Sequence, residues 1–182
     1  MTAIAVFCAS RPVPEEFIAL AAEVGRGIAA GGDSLVWGGG HVSMMGAVAQ
    51  AARDGGARTL GVIPRALVAR EVADHGATEL IVVDTMRERK QLMDDNADAF
   101  LVLPGGVGTL EEFFEAWTAG YLSMHDKPVV VLDHEGFYAP LLDWIVGLKT
   151  RGFVGDAALG RLQRATEVTA ALDACRGTAA PR

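Results

Sequence analysis

Six short, nearly continuous apolar runs recur along the chain between stretches with helical periodicity. The runs cover residues 3–9, 34–38, 59–63, 79–83, 99–104 and 128–133. A strand covered on both faces lacks the apolar–polar alternation of a half-exposed strand, so these runs predict the strands of a parallel sheet. The helical stretches lie at residues 15–30, 43–54, 86–96, 110–122 and 137–149. This alternation predicts an open, doubly wound α/β sheet with helices on both faces.

The length and composition of the chain fit one compact unit. With 51% hydrophobic residues, 182 residues can bury one substantial core, which predicts a single Rossmann-like α/β domain over residues 1–176. Residues 177–182 are expected to be a frayed tail. The N-terminus lacks the basic leader of a signal peptide, and no apolar window is long enough to span a bilayer, so we expect a cytoplasmic protein without a membrane partner.

The net charge of the chain and the spacing of its histidines and cysteines argue against nucleic acid and metal ions as ligands. A net charge of -7 opposes broad binding to nucleic acid, which requires a basic face. The four histidines are scattered, and neither they nor Cys8 and Cys175 have metal-ligand spacing, so we expect free thiols and no metal site. Any phosphate must therefore be held locally.

A first glycine-rich turn follows the second predicted strand. Gly38, Gly39 and Gly40 precede a helix that is predicted to begin near Ser43. Glycines allow a ligand to approach the backbone, and a helix N-terminus favours an anion. The alternative is a tight strand-to-helix connection without a ligand. The turn lacks both the third glycine of the dinucleotide fingerprint and the lysine of a phosphate-binding P-loop.

A second glycine-rich turn, residues 104–109, follows the fifth predicted strand. We expect a helix to begin at Thr109, and Thr109 with Glu112 has the spacing of a capping box, which would make both residues structural. However, two anion-compatible turns at one sheet edge indicate a phosphorylated small molecule. Glu112, held ionised near a helix N-terminus, would then be suited to stabilising an oxocarbenium-like cation.

Four segments together resemble a known family of enzymes. They are "WGGGHVSMMG" at 37–46, "VIPRALVARE" at 62–71, "TMRERKQLM" at 85–93 and "PGGVGTLEE" at 104–112. Their order and spacing resemble the lonely guy family of cytokinin riboside 5′-monophosphate phosphoribohydrolases. The likeness implies hydrolysis of the N-glycosidic bond of an N6-substituted AMP to free base and ribose 5-phosphate, without a cofactor. It also implies a homodimer or larger assembly.

The resemblance assigns roles to particular residues. It implies that Arg89 and Glu112 are catalytic. The residues that it implies contact the substrate are Gly39, Gly40, Glu71, Arg89, Lys90, Gly105, Gly106, Val107, Gly108, Thr109, Glu112 and Thr118. Two departures from the family pattern are the Cys–Ala–Ser–Arg turn at 8–11 and Arg87, where the family often has a histidine.

Other interpretations remain open from the sequence. The charged segment 87–90 could be a solvated helix face. Molybdenum-cofactor carriers have a similar fold and similar glycine loops, so the chain could be a non-catalytic binding protein. A lysine decarboxylase would need a lysine for pyridoxal phosphate, and only Lys90, Lys127 and Lys149 are present. The sequence leaves open whether the substrate carries a prenyl group or is AMP.

Overall fold

The computed structural model of the chain describes residues 1–177, so residues 178–182 of the predicted tail lie outside the described range. The strands within this range are β1 (Ala3–Phe7), β2 (Ser34–Trp37), β3 (Thr59–Pro64), β4 (Glu79–Val83), β5 (Ala99–Val102), β6 (Val129–Leu132) and β7 (Leu162–Ala165). The α-helices are α1 (Glu15–Ala30), α2 (Ser43–Asp54), α3 (Met86–Asp95), α4 (Val107–Tyr121), α5 (Ala139–Thr150), α6 (Asp156–Leu159) and α7 (Val168–Cys175).

All seven strands form one sheet in the order β4-β3-β2-β1-β5-β6-β7, and every neighbouring pair is parallel. The predicted α/β class and parallel sheet are therefore confirmed. The chain builds the sheet outward from β1 in one direction and then, beginning with β5, in the other. The point between β1 and β5 is a topological switch point, and in open α/β sheets ligands bind beyond the carboxyl ends of the strands there.

Helices cover both faces of the sheet, as predicted. In β1, Ile4 and Val6 face one side and pack in a core with α1, α2 and α7. The alternate residues Ala5 and Phe7 face the other side and pack with α3, α4, α5 and α6. Both faces of a central strand are thus buried, which explains why its sequence is apolar without alternation.

The sequence patterns missed β7 and α7. The central residues of β7, Gln163 and Arg164, are exposed because the strand lies at the edge of the sheet, so the segment lacks an apolar run. Helix α7 is docked partly by Arg176, whose Nε donates to the buried Asp33 carboxylate at 2.7 Å. None of the helices in residues 1–177 combines the length and the apolar character needed to cross a membrane.

Candidate active site

A cavity of about 540 Å³ opens at the carboxyl ends of β1 and β5. Residues 8–11, which follow β1, form one wall, and the glycine turn after β5 forms another. Gly38, Glu71 and Arg89 reach the cavity from segments beside β2, β3 and β4. The cavity therefore lies at the switch point of the sheet, where the two halves of the fold diverge.

Arg89 is almost entirely buried and is held by three oxygen atoms. Its Nη2 donates to the Gly38 carbonyl at 2.8 Å, and its Nε donates to the Val62 carbonyl at 3.1 Å. The same Nη2 lies 3.4 Å from Oε2 of Glu71. The predicted alternative of a solvated helix face is thus wrong for Arg89, because α3 directs this side chain across the sheet edge.

Position 38 must be a glycine because the Arg89 guanidinium lies directly against it. A Cβ there would lie 1.8 Å from Nη2 of Arg89, far inside van der Waals contact. Gly39 has a φ of 72° and Gly40 lies against Met45 and Glu71, and neither lines the cavity. Of the three glycines, only Gly38 lines the cavity, and the predicted contacts of Gly39 and Gly40 with a substrate stay predictions.

The backbone of the first glycine turn ties Glu71 to the site. The amide of His41 lies within hydrogen-bond distance of two carbonyls, at 3.0 Å from Glu71 and at 2.8 Å from Val72. These bonds hold the loop after β3 against the loop after β2. They place the Glu71 carboxylate beside Arg89 at the cavity, and its predicted contact with a substrate stays a prediction.

The second glycine turn enters α4 earlier than predicted. The helix begins at Val107 with Gly106 as its N-cap, so Thr109 lies inside the first turn and makes no capping box with Glu112. The first helical hydrogen bond runs from Leu110 N to Gly106 O at 3.0 Å. Helix geometry therefore leaves the amides of residues 107–109 without helical acceptors, at the edge of the cavity.

Glu112 lies one turn further along α4, half-buried by its neighbours, with its carboxyl group lining the cavity. Burial, and to a smaller extent the neighbouring carboxylates of Glu111 and Glu71, raise the pKa of Glu112 against the opposing effect of Arg89, and the net value is about 7 instead of 4.5. The prediction that a helix N-terminus holds Glu112 ionised is wrong, because Glu112 lies in the second turn of α4 and burial favours its neutral form. Near neutral pH both protonation states of Glu112 are populated.

A second cavity of about 760 Å³ adjoins the first and shares Phe7, Glu111 and Glu112 with it. Lys90 and Thr118 line this second cavity and not the first. The Lys90 ammonium pairs with Glu111 and Glu115. The other predicted residues that line the first cavity are Glu71, Arg89, Gly105, Gly106, Val107, Gly108, Thr109 and Glu112.

Three cavity residues had no signal in the sequence patterns. Phe137 comes from the segment after β6, and Met44 and Met86 come from the first turns of α2 and α3. Apolar residues at such positions look like ordinary core. Cys8 also lines the cavity, and burial raises the pKa of its thiol well above the usual range, so it stays neutral.

Comparisons with known proteins identify the family. Residues 45–175 match the sequence model of a family described as possible lysine decarboxylase. A Mycobacterium tuberculosis protein named cytokinin riboside 5′-monophosphate phosphoribohydrolase is 58% identical over 172 residues, covering 94% of this chain and 92% of that protein. Proteins of the same name from Mycobacterium marinum and Rhodococcoides fascians are 54% and 43% identical, covering 94% and 95% of this chain and 92% and 88% of their own lengths. The chain belongs to this phosphoribohydrolase family.

Solved structures share the fold of this phosphoribohydrolase family member at lower identity. A molybdenum cofactor carrier protein from Chlamydomonas reinhardtii is 21% identical with a TM-score of 0.71, covering 97% of each chain. A molybdenum cofactor binding protein from Rippkaea orientalis is 19% identical with a TM-score of 0.68, covering 97% of this chain and 93% of that one. Such likeness shows the fold only, so the carrier interpretation is the weaker one.

The lysines do not support a decarboxylase. All three lie in the described part of the chain, and none lines the first cavity. Lys127 donates to the backbone and the carboxylate of Asp94, both at 2.7 Å. Lys149 pairs with Asp156 on the far side of α5. None of the three lysines therefore reaches the cavity that Arg89 lines, and Lys90 in the adjoining cavity is paired with Glu111 and Glu115.

The raised pKa of Glu112 predicts how stability depends on pH. Because the folded-state pKa lies above the ordinary value, this group contributes stability below about pH 4.5 that is lost as the pH rises through 7. The variant Glu112→Gln cannot ionise. As the pH rises from 4.5 to above 7, its free energy of unfolding should therefore increase by about 3 kcal/mol relative to that of the wild type. Urea unfolding at a series of pH values measures this difference. Glu111→Gln, at a more exposed neighbour, is the control, and parallel curves for wild type and Glu112→Gln would contradict the expectation.

Proposed function

We propose that the protein hydrolyses the N-glycosidic bond of N6-substituted adenosine 5′-monophosphates, releasing free base and ribose 5-phosphate. The observation that carries the proposal is the meeting of Arg89, Glu112 and the glycine turn 105–109 in one cavity. The relatives' shared name supports the same reaction. The finer class of the enzyme, an N-glycosyl hydrolase acting on nucleoside 5′-monophosphates, is part of this proposal.

The glycine turn is the proposed site of the 5′-phosphate. Positions 106 and 108 have no neighbouring atom within 4 Å of where a Cβ would lie, so the ligand side of the turn is open. The amides of residues 107–109 precede the first helical hydrogen bond, and a helix N-terminus favours a phosphate. These amides are the proposed hydrogen-bond donors to the phosphate.

Arg89 and Glu112 are the proposed catalytic residues. In this reaction the bond between the base and ribose C1′ breaks, and a water oxygen bonds to C1′. The Glu112 carboxylate stabilises the ribosyl cation and accepts the water proton, and it then gives up this proton, directly or through solvent, to the departing base. The carbonyls of Gly38 and Val62 hold Arg89 in place, and its remaining N–H groups are the proposed donors of hydrogen bonds to the nucleotide.

The second cavity is the proposed site of the base and its N6 substituent. It begins at Glu112, on the shared wall, and continues past the apolar side chains of Phe114, Leu122 and Met124. A ribose positioned at Glu112 would direct its base into this space. Lys90 and Thr118 then contact the substrate from the second cavity rather than the first.

The substrate should require its phosphate. Free base should be released from AMP or isopentenyladenosine monophosphate at least roughly a hundredfold faster than from the matching nucleosides, because phosphate binding energy aids the reaction at C1′. Chromatographic detection of free base measures all four rates. Comparing the two nucleotides also tells whether the N6 substituent matters. Equal turnover of adenosine and AMP would refute the proposal.

Glu112→Gln should retain the fold and lose activity. The substitution removes the negative charge without changing side-chain volume, so kcat should fall by roughly a hundredfold or more. The wild-type rate should rise with pH through about 7 as Glu112 ionises. Rates at saturating substrate and melting temperatures test this together. Glu111→Gln is the matched control and should lose much less; near-normal turnover in folded Glu112→Gln would exclude a chemical role.

We also propose that the protein is a homodimer, as the family resemblance implies. The end of α4 supports this, since Leu122 and Met124 are 57% and 76% exposed beside the second cavity. Light scattering at micromolar concentration should give about twice the chain mass of 19.1 kDa. A purely monomeric species would contradict it. The cytoplasmic location stays a prediction from the sequence.

A further inference from the structure

Tyr138, at the start of α5, reaches the glycine turn from a different part of the chain. The residue is 3% exposed, and its hydroxyl donates to the Leu103 carbonyl at 2.8 Å. The backbone of Gly105 lies close enough to the phenolic oxygen to lower the pKa of the hydroxyl. The hydroxyl thus contacts the backbone on both sides of Pro104, where the chain leaves β5.

The tyrosine is itself held rigidly. Its backbone amide donates to Oδ1 of Asp133 at 2.5 Å, and Asp133 is fully buried at the end of β6. Nε of Arg164 donates to the other carboxylate oxygen at 2.8 Å. The Tyr138 ring also packs edge-on against Phe137, which lines the cavity. The phenol is therefore a fixed point relative to the sheet.

The glycine turn has few other means of keeping its shape. The sheet pairing of β5 ends at Val102, and the last backbone bond to β1 runs from Leu103 N to Phe7 O at 2.9 Å. Pro104 has no amide hydrogen to donate. Gly106 and Gly108 have no side chains to pack. The hydrogen bond from Tyr138 to the Leu103 carbonyl therefore constrains the direction in which the turn enters α4.

We propose that Tyr138 is a positioning residue, whose hydroxyl fixes the turn 104–109 in the geometry that binds the substrate phosphate. The inference rests on the proposed function for the identity of the ligand. Tyr138 does not line the cavity and acts through Leu103 and Gly105. Burial raises the pKa of its phenol above the ordinary value, so the hydroxyl keeps the proton that it donates to Leu103.

Tyr138→Phe tests the proposal, because it removes the hydroxyl and retains the ring and the backbone bond to Asp133. The dissociation constant of ribose 5-phosphate, measured by calorimetry, should rise about tenfold, the effect of one lost hydrogen bond. The KM for AMP should rise in parallel, with a smaller change in kcat. Tyr121→Phe, at a 49% exposed tyrosine, is the matched control and should leave both constants unchanged.

The affinity for adenosine, which lacks the phosphate, separates positioning from general loosening of the fold. It should stay unchanged in Tyr138→Phe, whereas a merely structural defect would weaken adenosine and ribose 5-phosphate alike and overturn the proposal. Unchanged binding of ribose 5-phosphate in a protein that hydrolyses AMP would also overturn it and leave the proposed function intact. If the wild type does not hydrolyse AMP but Tyr138→Phe still binds ribose 5-phosphate tenfold more weakly than the wild type does, the positioning role is supported and only the proposed hydrolysis is refuted.

Discussion

The site depends on one buried cation. Removing a guanidinium from water is unfavourable unless its donors are paired, and Arg89 meets this need with the carbonyls of Gly38 and Val62 and the carboxylate of Glu71. These partners come from strand β3 and from the loops that follow β2 and β3 at the carboxyl edge of the sheet. The planar fork of an arginine suits such a set, whereas the single ammonium of a lysine does not. The buried guanidinium of Arg89 explains both the glycine at position 38 and the inward position of Glu71.

The same cation sets the balance of charge around Glu112. Burial and the neighbouring carboxylates raise its pKa, while Arg89 and Lys90 lower it, and the result lies near 7. Lys90 is shared between Glu111 and Glu115, so much of its charge is already neutralised. An anionic substrate and an ionisable carboxylate can coexist here because backbone amides, at the start of α4, are available to the phosphate.

The sequence predicted those parts of the fold that depend on local pattern. The five inner strands are apolar because both of their faces are buried, and all six predicted strands, the edge strand β4 included, were located within two residues at each end. The edge strand β7 was not predicted, because Gln163 and Arg164 face solvent and interrupt its apolar pattern. The spacing of Thr109 and Glu112 matched a capping box, but a spacing cannot tell where a helix begins, and Gly106 starts it earlier. The pKa of Glu112 depends on Arg89 and Glu71, which are distant in sequence, so no local pattern could reveal it.

The fold by itself does not decide between a carrier and an enzyme. Proteins named as molybdenum cofactor carriers share this fold at 21% identity, and a sheet with glycine turns at its switch point suits any phosphorylated ligand. Binding needs only the open turn and its amides. Hydrolysis needs in addition a group that can take a proton from water at neutral pH and a fixed donor beside it. A carboxylate with a pKa near 7, next to an arginine that the backbone holds in place, has these two properties, and they reside in side chains rather than in the sheet.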